Sequence, residues 1–414
     1  MNNTVPNLVN LQSSAISCVH CGQCRVAIWP SKNIHGVCPV YGVDVTPKFE
    51  PFFSRGKNVI LKGVLWNDLP LSPEISELFF QCTLCGACYN FCQNAHNDNI
   101  DFANHRWMDQ VNVYEAFRAD LVAAGYVLRA HAEMNDSLLQ YGNPYGRHNS
   151  EKASWIAQLD FKLKDALKDP AEILYFVGCT SALSKTHGLQ NIAVATAKLF
   201  KKLGVDFSIL GSEELCCGSV ALRTGNKQAF LTIAEKNQEL INKTGVRKIV
   251  TSCAGCFRTL KKDYGNRLQG IEIVHTAEFL RDLIRKEGVV LQKLNLKTTY
   301  HDPCHLGRHM GIYSAPRDLL TQISTLVEME TNREGAHCCG AGGGVKKAFP
   351  ELSLAMAKNR VAEGCRTGAQ ILVSTCPFCI RNLGDAIDDL NAPIAINDLV
   401  ELLLKAIEVK KPEI

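Results

Sequence analysis

The chain has 414 residues, 46% of them apolar, with 45 Lys and Arg against 41 Asp and Glu and a net charge of +4. That length supports two or three domains with cores of their own, and its charges are scattered rather than gathered into the basic face a nucleic-acid partner requires. No apolar run approaches the ~18 residues of a membrane span. The opening "MNNTVPNLVNLQSS" lacks the basic and apolar stretches of a signal peptide. A cytoplasmic protein is expected, peripheral on the inner face of a membrane only if a partner holds it there.

Nineteen cysteines set the remaining question. A reducing compartment keeps thiols free, a chain of this size needs no staples, and an odd total leaves one thiol without a mate. How the cysteines cluster is therefore the informative feature.

Two runs lie in the first third. "CVHCGQC" gives Cys18, Cys21 and Cys24, followed after thirteen residues by Cys38 beside Pro39; "CTLCGACYNFCQ" gives Cys82, Cys85, Cys88 and Cys92. Three thiolates on one tight turn hold three corners of a cubane iron–sulfur cluster, and in two-cluster ferredoxins the fourth cysteine of each run serves the other cluster. The expected assignment is thus crossed: one [4Fe-4S] cubane on Cys18, Cys21, Cys24 and Cys92, the other on Cys82, Cys85, Cys88 and Cys38. Both runs depart from the ideal, since the loop before Cys38 is long and Gln93 stands where a proline is usual. Zinc also accepts Cys-x2-Cys pairs, but three cysteines in one short run favour iron and sulfide. Helix-like stretches such as "YEAFRADLVAAGYVLRAHAEM" follow. Residues 1–145 read as a mostly α-helical ferredoxin-type domain. The polar "QYGNPYGRHNSEKASW" suggests a linker, placed at 146–165.

The other cysteines repeat. Cys179, Cys216-Cys217-Gly218 and Cys253-x2-Cys256 are matched by Cys304, Cys338-Cys339-Gly340 and Cys376-x2-Cys379, at offsets of 122 to 125 residues. Strand-like runs precede several of them ("EILYFVGC", "RKIVTSC", "AQILVSTC"), and helical patterns such as "NIAVATAKLFKKLG" intervene. Strand, helix and strand in this order specify βαβ units with a parallel sheet. The chain is therefore expected to be an α+β multi-domain protein, its ferredoxin-type domain followed by two repeated α/β modules at 166–290 and 291–414. Ligands of such sheets gather beyond the carboxyl ends of the strands, so each five-thiol set should converge there. Gly218 and Gly340 are expected to let the backbone approach whatever the paired cysteines hold. A vicinal disulfide is the alternative for each Cys-Cys pair, but two pairs in one register favour cofactors. Cys365 remains over and reads as a small buried residue.

With two ferredoxin-type runs followed by two Cys…Cys-Cys-Gly…Cys-x2-Cys modules, nearly the whole chain resembles the heterodisulfide reductase D-type proteins, or CCG-domain iron–sulfur proteins. Phrases such as "LGSEELCCGSVALRTG" and "TYHDPCHLGRHMGIYSAPRDLL" carry the same resemblance. It implies two noncubane [4Fe-4S] clusters with five cysteine ligands each: Cys179, Cys216, Cys217, Cys253 and Cys256 for one, Cys304, Cys338, Cys339, Cys376 and Cys379 for the other. The implied reaction is reduction of the coenzyme M–coenzyme B disulfide in anaerobic, methanogenic metabolism, each cluster delivering one electron to one sulfur. Arg223, Arg258, Arg308, Lys346 and Lys347 lie near the motifs and are candidates to meet the anionic substrate. His301, His305, His309 and His337 are candidate proton donors, or hydrogen-bond donors to sulfur. Relatives with the same layout pass electrons from flavin-linked dehydrogenases toward quinone without binding a substrate; the intact Cys376 and Cys379 favour the reductase. Neither a dinucleotide fingerprint nor a haem-attachment motif is present, so flavin or haem is expected on a redox partner: a b-type cytochrome, a flavoprotein or a hydrogenase.

Overall fold

The computed structural model describes residues 4–25, 37–92 and 108–407. Its first part is helical. Ser72 caps the helix Pro73–Phe80 through the Ile75 amide, with proline at the first turn, and Asp109 caps Gln110–Ala123 through the Asn112 amide. The latter helix forms the spine: Val113, Phe117 and Leu121 pack on Leu8, Leu61, Val64 and Phe79. Its Asp120 accepts from the Asn7 and Leu8 amides at 3.0 and 2.8 Å, fixing the first helical turn of the chain.

Two parallel sheets follow. The first contains β1 (Lys164–Asp165), β2 (Ile173–Phe176), β3 (Phe207–Ile209), β4 (Lys248–Thr251) and β5 (Glu272–His275) in the order β1-β3-β2-β4-β5. The second contains β6 (Lys297–Tyr300), β7 (Thr325–Leu326), β8 (Ile371–Ser374) and β9 (Ala395–Asp398) in the order β7-β6-β8-β9. Every pairing is parallel. Apart from the edge strand β1 the orders superpose, so the cysteine repeat is a repeat of fold. Finer details repeat too. Tyr175 hydroxyl meets Ser252 at 3.2 Å in the first unit, and Tyr300 meets Thr375 at 2.8 Å in the second.

The strands are short and apolar because helices such as Gln190–Lys202 and Pro350–Arg366 cover the sheet faces, leaving strand residues such as Leu174, Val250 and Leu372 without exposure. One continuous core joins both units.

The stretch expected to be a loose linker is packed. It forms the 3-10 helix Asn149–Gln158, burying Trp155 and Lys152, and continues into β1. Its polar composition concealed one aromatic anchor. Residues 26–36, most of the long loop before Cys38, and Gln93 lie outside the described residues.

Candidate functional site

Each sheet turns its chain direction at the same place. From β2 the chain moves out to β3, then returns to the other side of β2 as β4, leaving a crevice between the carboxyl ends of β2 and β4. Cys179 follows β2 and Cys253 follows β4; Cys304 and Cys376 follow β6 and β8 in the same way. The Cys-Cys pairs arrive on the loops after β3 and β7. Each first cysteine receives an amide hydrogen: Gly218 N–H points to Cys216 Sγ at 3.5 Å and Gly340 N–H to Cys338 Sγ at 3.4 Å. Asn237 donates to Cys216 O at 2.8 Å and Asn382 to Cys339 O at 2.6 Å, so both pairs are held from behind.

Gly218 and Gly340 are required, but not chiefly for approach to a guest. Their φ values of +82° and +86° are left-handed, and a Cβ on Gly340 would stand 2.6 Å from Ser353 O. Close approach to sulfur belongs to Gly178, where a Cβ would lie 3.2 Å from Cys256 Sγ. The "GAGGG" run has a different duty. A Cβ on Gly343 would strike Cys82 O at 2.6 Å, and one on Gly344 would strike the His131 ring. There the helical domain docks on the second sheet.

The two sets share one cleft of about 470 Å³, lined by Cys179, Cys216, Cys217, Cys253 and Cys256 from one side and Cys304, Cys339, Cys376 and Cys379 from the other. Cys253 and Cys376 perturb one another's ionisation across it, and Cys339 Sγ lies 3.3 Å from Cys379 Sγ. Cys338 is not among the residues lining the cleft; it lies near Cys304 and the Cys85 thiol of the helical domain. All ten are free thiols. Neither Cys-Cys pair forms a vicinal disulfide.

In the helical domain, Cys38, Cys82, Cys85 and Cys88 line a single cavity with Lys57. Cys38 thus lies with the second run, where the crossed scheme puts it. Burial first, and then Cys82 and Cys85, pushes the Cys38 thiol up to about 12; the same causes push Cys88 well above its ordinary value. Cys24 lies near Cys18, Cys21 and Cys38, and Cys21 is exposed. Placing Cys92 with Cys18, Cys21 and Cys24 rests on spacing alone.

Crowded buried thiols need positive charge before they can ionise together. The chain supplies some of it. Lys57 donates to Pro51 O and Leu78 O at 2.7 and 2.8 Å beside the second run. Lys152, 1% exposed at its side chain, sits beside Cys179 and Cys216 and pairs with Glu214 at 3.6 Å. Burial works against its charge, but Cys179 and Glu214 outweigh that and raise its pKa. Arg308 lies beside Cys85, Cys304 and Cys338 while donating to Cys85 O at 2.8 Å. Nine thiols converging on one cleft, free and flanked by cations, fit a metal–sulfur guest.

The cations expected to meet substrate divide. Arg223 and Arg258 are buried in an ion cluster with Glu115 and Asp263, Arg223 bonding Glu115 at 3.0 Å and Arg258 at 3.1 Å. Lys346 is taken by Asn382 and Asp385, both at 2.6 Å. Lys347 and Arg381 line the cleft without a carboxylate partner among the described residues, Arg381 lying over the Tyr145 ring. Sequence reasoning missed Arg381, which lies two residues beyond Cys379, along with Lys152, Lys57 and Arg118, which nothing in the local pattern marks.

Burial favours the neutral form of His301, His305 and His309. Burial and then Arg360 push His301 down to about 3, and burial with Arg258 and Arg223 lowers His305 well below its usual value. That environment suits hydrogen bonding to sulfur better than service as an acid at neutral pH. His305 Nδ1 lies 3.4 Å from Cys304 Sγ, and its ring stacks on His309 at 4.5 Å. His337 sits 3.7 Å from Glu363. Cys365 is half-buried at the end of its helix rather than fully enclosed.

Known proteins share this layout. The cysteine-rich CCG domain matches residues 173–261 and 298–384, and the 4Fe-4S dicluster domain matches 14–96. The D-type polypeptide of the Dihydromethanophenazine:CoB--CoM heterodisulfide reductase of Methanosarcina mazei is 37% identical over 405 residues, covering 94% of this chain and 93% of that protein. The EtfAB:quinone oxidoreductase of Syntrophomonas wolfei is 29% identical, covering 80% of this chain and 47% of its own length. One component of the Fumarate reductase (CoM/CoB) of Methanothermobacter marburgensis is 27% identical, covering 80% of this chain and 62% of its own length. Among the described residues, no helix is long and apolar enough to cross a membrane.

Proposed function

Because this chain belongs to the heterodisulfide reductase D-type family of CCG-domain iron–sulfur oxidoreductases, we propose that it reduces a thiol-coenzyme disulfide of the coenzyme M–coenzyme B type in the cleft between its two sheets. The observation that supports this most is the shared cleft, in which all five cysteines of the first set face Cys304, Cys339, Cys376 and Cys379 of the second. In this reading Cys179, Cys216, Cys217, Cys253 and Cys256 hold one noncubane [4Fe-4S] centre, and Cys304, Cys338, Cys339, Cys376 and Cys379 hold the other. Two cubanes occupy the crossed sites of the helical domain.

Bound there, the paired centres supply one electron to each sulfur of the disulfide. The chain's own residues do the rest. Lys347 and Arg381 receive the anionic ends of the substrate and set its register in the cleft. Val177, Val220 and Phe378 give the cleft apolar walls that limit water around the sulfurs. Arg308, beside Cys304 and donating to Cys85 O at 2.8 Å, sets the second cysteine set next to the helical domain, so a centre held there would be the entry point for electrons.

A second reading follows from the similarity to the EtfAB:quinone oxidoreductase: an electron-transfer component that joins a flavoprotein partner to a quinone pathway. The discriminating experiment is anaerobic oxidation of reduced viologen by the purified chain on adding the heterodisulfide. Turnover places the reductase site here; no turnover in fully loaded protein makes it a conduit.

A further inference from the structure

The repeat is broken at one position that faces sulfur. One residue after the matched tyrosines, Tyr175 and Tyr300, the first unit carries Phe176 and the second carries His301. Both are buried, Phe176 at 0% and His301 at 1% exposure. A ring nitrogen of His301 and the Sγ atoms of Cys339 and Cys379 all lie within 4.8 Å of one another.

The tautomer of His301 follows from its other contact. Arg360 Nε donates to His301 Nδ1 at 3.1 Å. A guanidinium N–H only donates, so Nδ1 must present its lone pair and the ring proton must sit on Nε2. Arg360 cannot swing away: its Nη1 is held by Thr331 O and Thr331 Oγ1 at 2.9 Å each and by Glu363 at 2.7 Å, and the residue has no exposure. His301 Nε2 is buried with no hydrogen-bond partner among the described residues. An unmet N–H donor therefore sits on a ring that has a nitrogen within 4.8 Å of two thiols of the second set. A buried donor is costly to leave orphaned, so its persistence implies an acceptor that the protein does not itself supply.

We propose that His301 donates its Nε2–H to sulfur of the centre held by the second cysteine set, with Arg360 fixing the tautomer, and thereby makes the two five-cysteine centres unequal, the second being the easier to reduce. This rests on the reading that both sets hold iron–sulfur centres; it does not depend on which disulfide is reduced. Reduction adds negative charge to the cluster, and a donor to its sulfur stabilises that state and raises the potential. Phe176 offers the first centre no such bond. The difference falls where it is useful, because Arg308, beside Cys304, donates to Cys85 O at 2.8 Å and so sets the second set next to the helical domain that would deliver electrons. His301 is a positioning residue in this account, acting on the centre and not on substrate.

The test is a spectroscopically monitored redox titration of the cluster-loaded full chain, with iron counted in every sample. His301→Phe, which copies the first unit, should retain all its iron and lower the midpoint of one five-cysteine centre only. The shift should correspond to at least a tenfold loss in the reduction equilibrium, about 59 mV for one electron. His301→Gln, which keeps an N–H, should recover part of it. Arg360→Met, which frees the tautomer, should shift the same centre in the same direction by less. Unchanged potentials in His301→Phe overturn the proposal, and so does loss of one centre's iron, which would make His301 a ligand. Failure of the underlying reading looks different: wild-type protein would then hold iron for the two cubanes alone.

Discussion

Cys253, at the end of β4, and Cys376, at the end of β8, meet in one cleft although they belong to different sheets. Two links brace that meeting. His187 Nε2 contacts Asp385 at 2.7 Å, and His275 Nε2 reaches Thr375 O at 3.1 Å, each joining the first unit to the second. Cysteines of both units therefore face a common volume.

Cys217 lies in the first set alone, so Cys217→Ser should remove one five-cysteine centre and leave the other three. The expected loss is about a quarter of the bound iron, counting four centres of four irons, with the cubane signals retained. Iron analysis and electron paramagnetic resonance of the anaerobic protein check it. Full iron with unaltered spectra would remove Cys217 from the ligand set.

The crossed scheme makes opposite claims for the two fourth cysteines. Cys38→Ser should damage the centre of Cys82, Cys85 and Cys88, whose cavity Cys38 shares. Cys92→Ser should damage the centre of Cys18, Cys21 and Cys24. Spectra of the two variants must therefore lose different cubane signals; the same signal lost in both disproves the crossing.

Arg118 ties the helical domain to both sheets. Its guanidinium donates to Arg223 O at 2.7 Å, Gly343 O at 2.8 Å, Phe79 O at 2.6 Å and Cys82 O, with no carboxylate bonded to it among the described residues. Arg118→Met leaves four buried carbonyls without that donor and should destabilise the domain junction by ~3 kcal/mol or more. Thermal unfolding and limited proteolysis between the domains should both show it. An unchanged melting temperature would mean that the junction does not depend on this residue.

Glu115 crosses the same junction to Arg223 and Arg258. Burial opposes its ionisation, but the two guanidiniums outweigh it and hold the carboxyl below the usual range. A depressed carboxyl pKa contributes stability that is complete above its unfolded value of ~4.3 and is lost as pH falls through the lower folded value. Glu115→Gln should therefore be less stable than wild type by roughly 3 kcal/mol, and by the same amount throughout ~pH 6–8, well above that window. Melting curves at several pH values check this; a deficit that varies across that range would show that other groups set it.

Much of this was legible in the chain because metal-binding thiols are constrained locally. Cys82, Cys85 and Cys88 announce themselves by spacing, and the strand before Cys253 or Cys376 reads as strand because both its faces are buried. The repeat made the two sheets visible even though β7 is only two residues long. What escaped was the long-range chemistry. Lys152 lies in a stretch whose Gly, Asn and Ser content suggested a linker, yet its ammonium reaches Cys179. Arg118 and Lys57 look like ordinary solvated charges on amphipathic helices until carbonyls from distant segments close around them. The ion cluster of Arg223 and Arg258 escaped for the same reason, since Glu115 and Asp263 are remote in sequence; Arg223 also lines the cleft.

The most direct test of the account is a single turnover by the chain alone. Anaerobic protein is reduced with a counted number of electrons, freed of reductant, and mixed with the coenzyme M–coenzyme B disulfide while released thiols are measured. Two thiols for every two electrons lost from the centres, with no partner present, is the predicted result. Centres that stay reduced while no thiol appears would contradict a disulfide site between the two sheets.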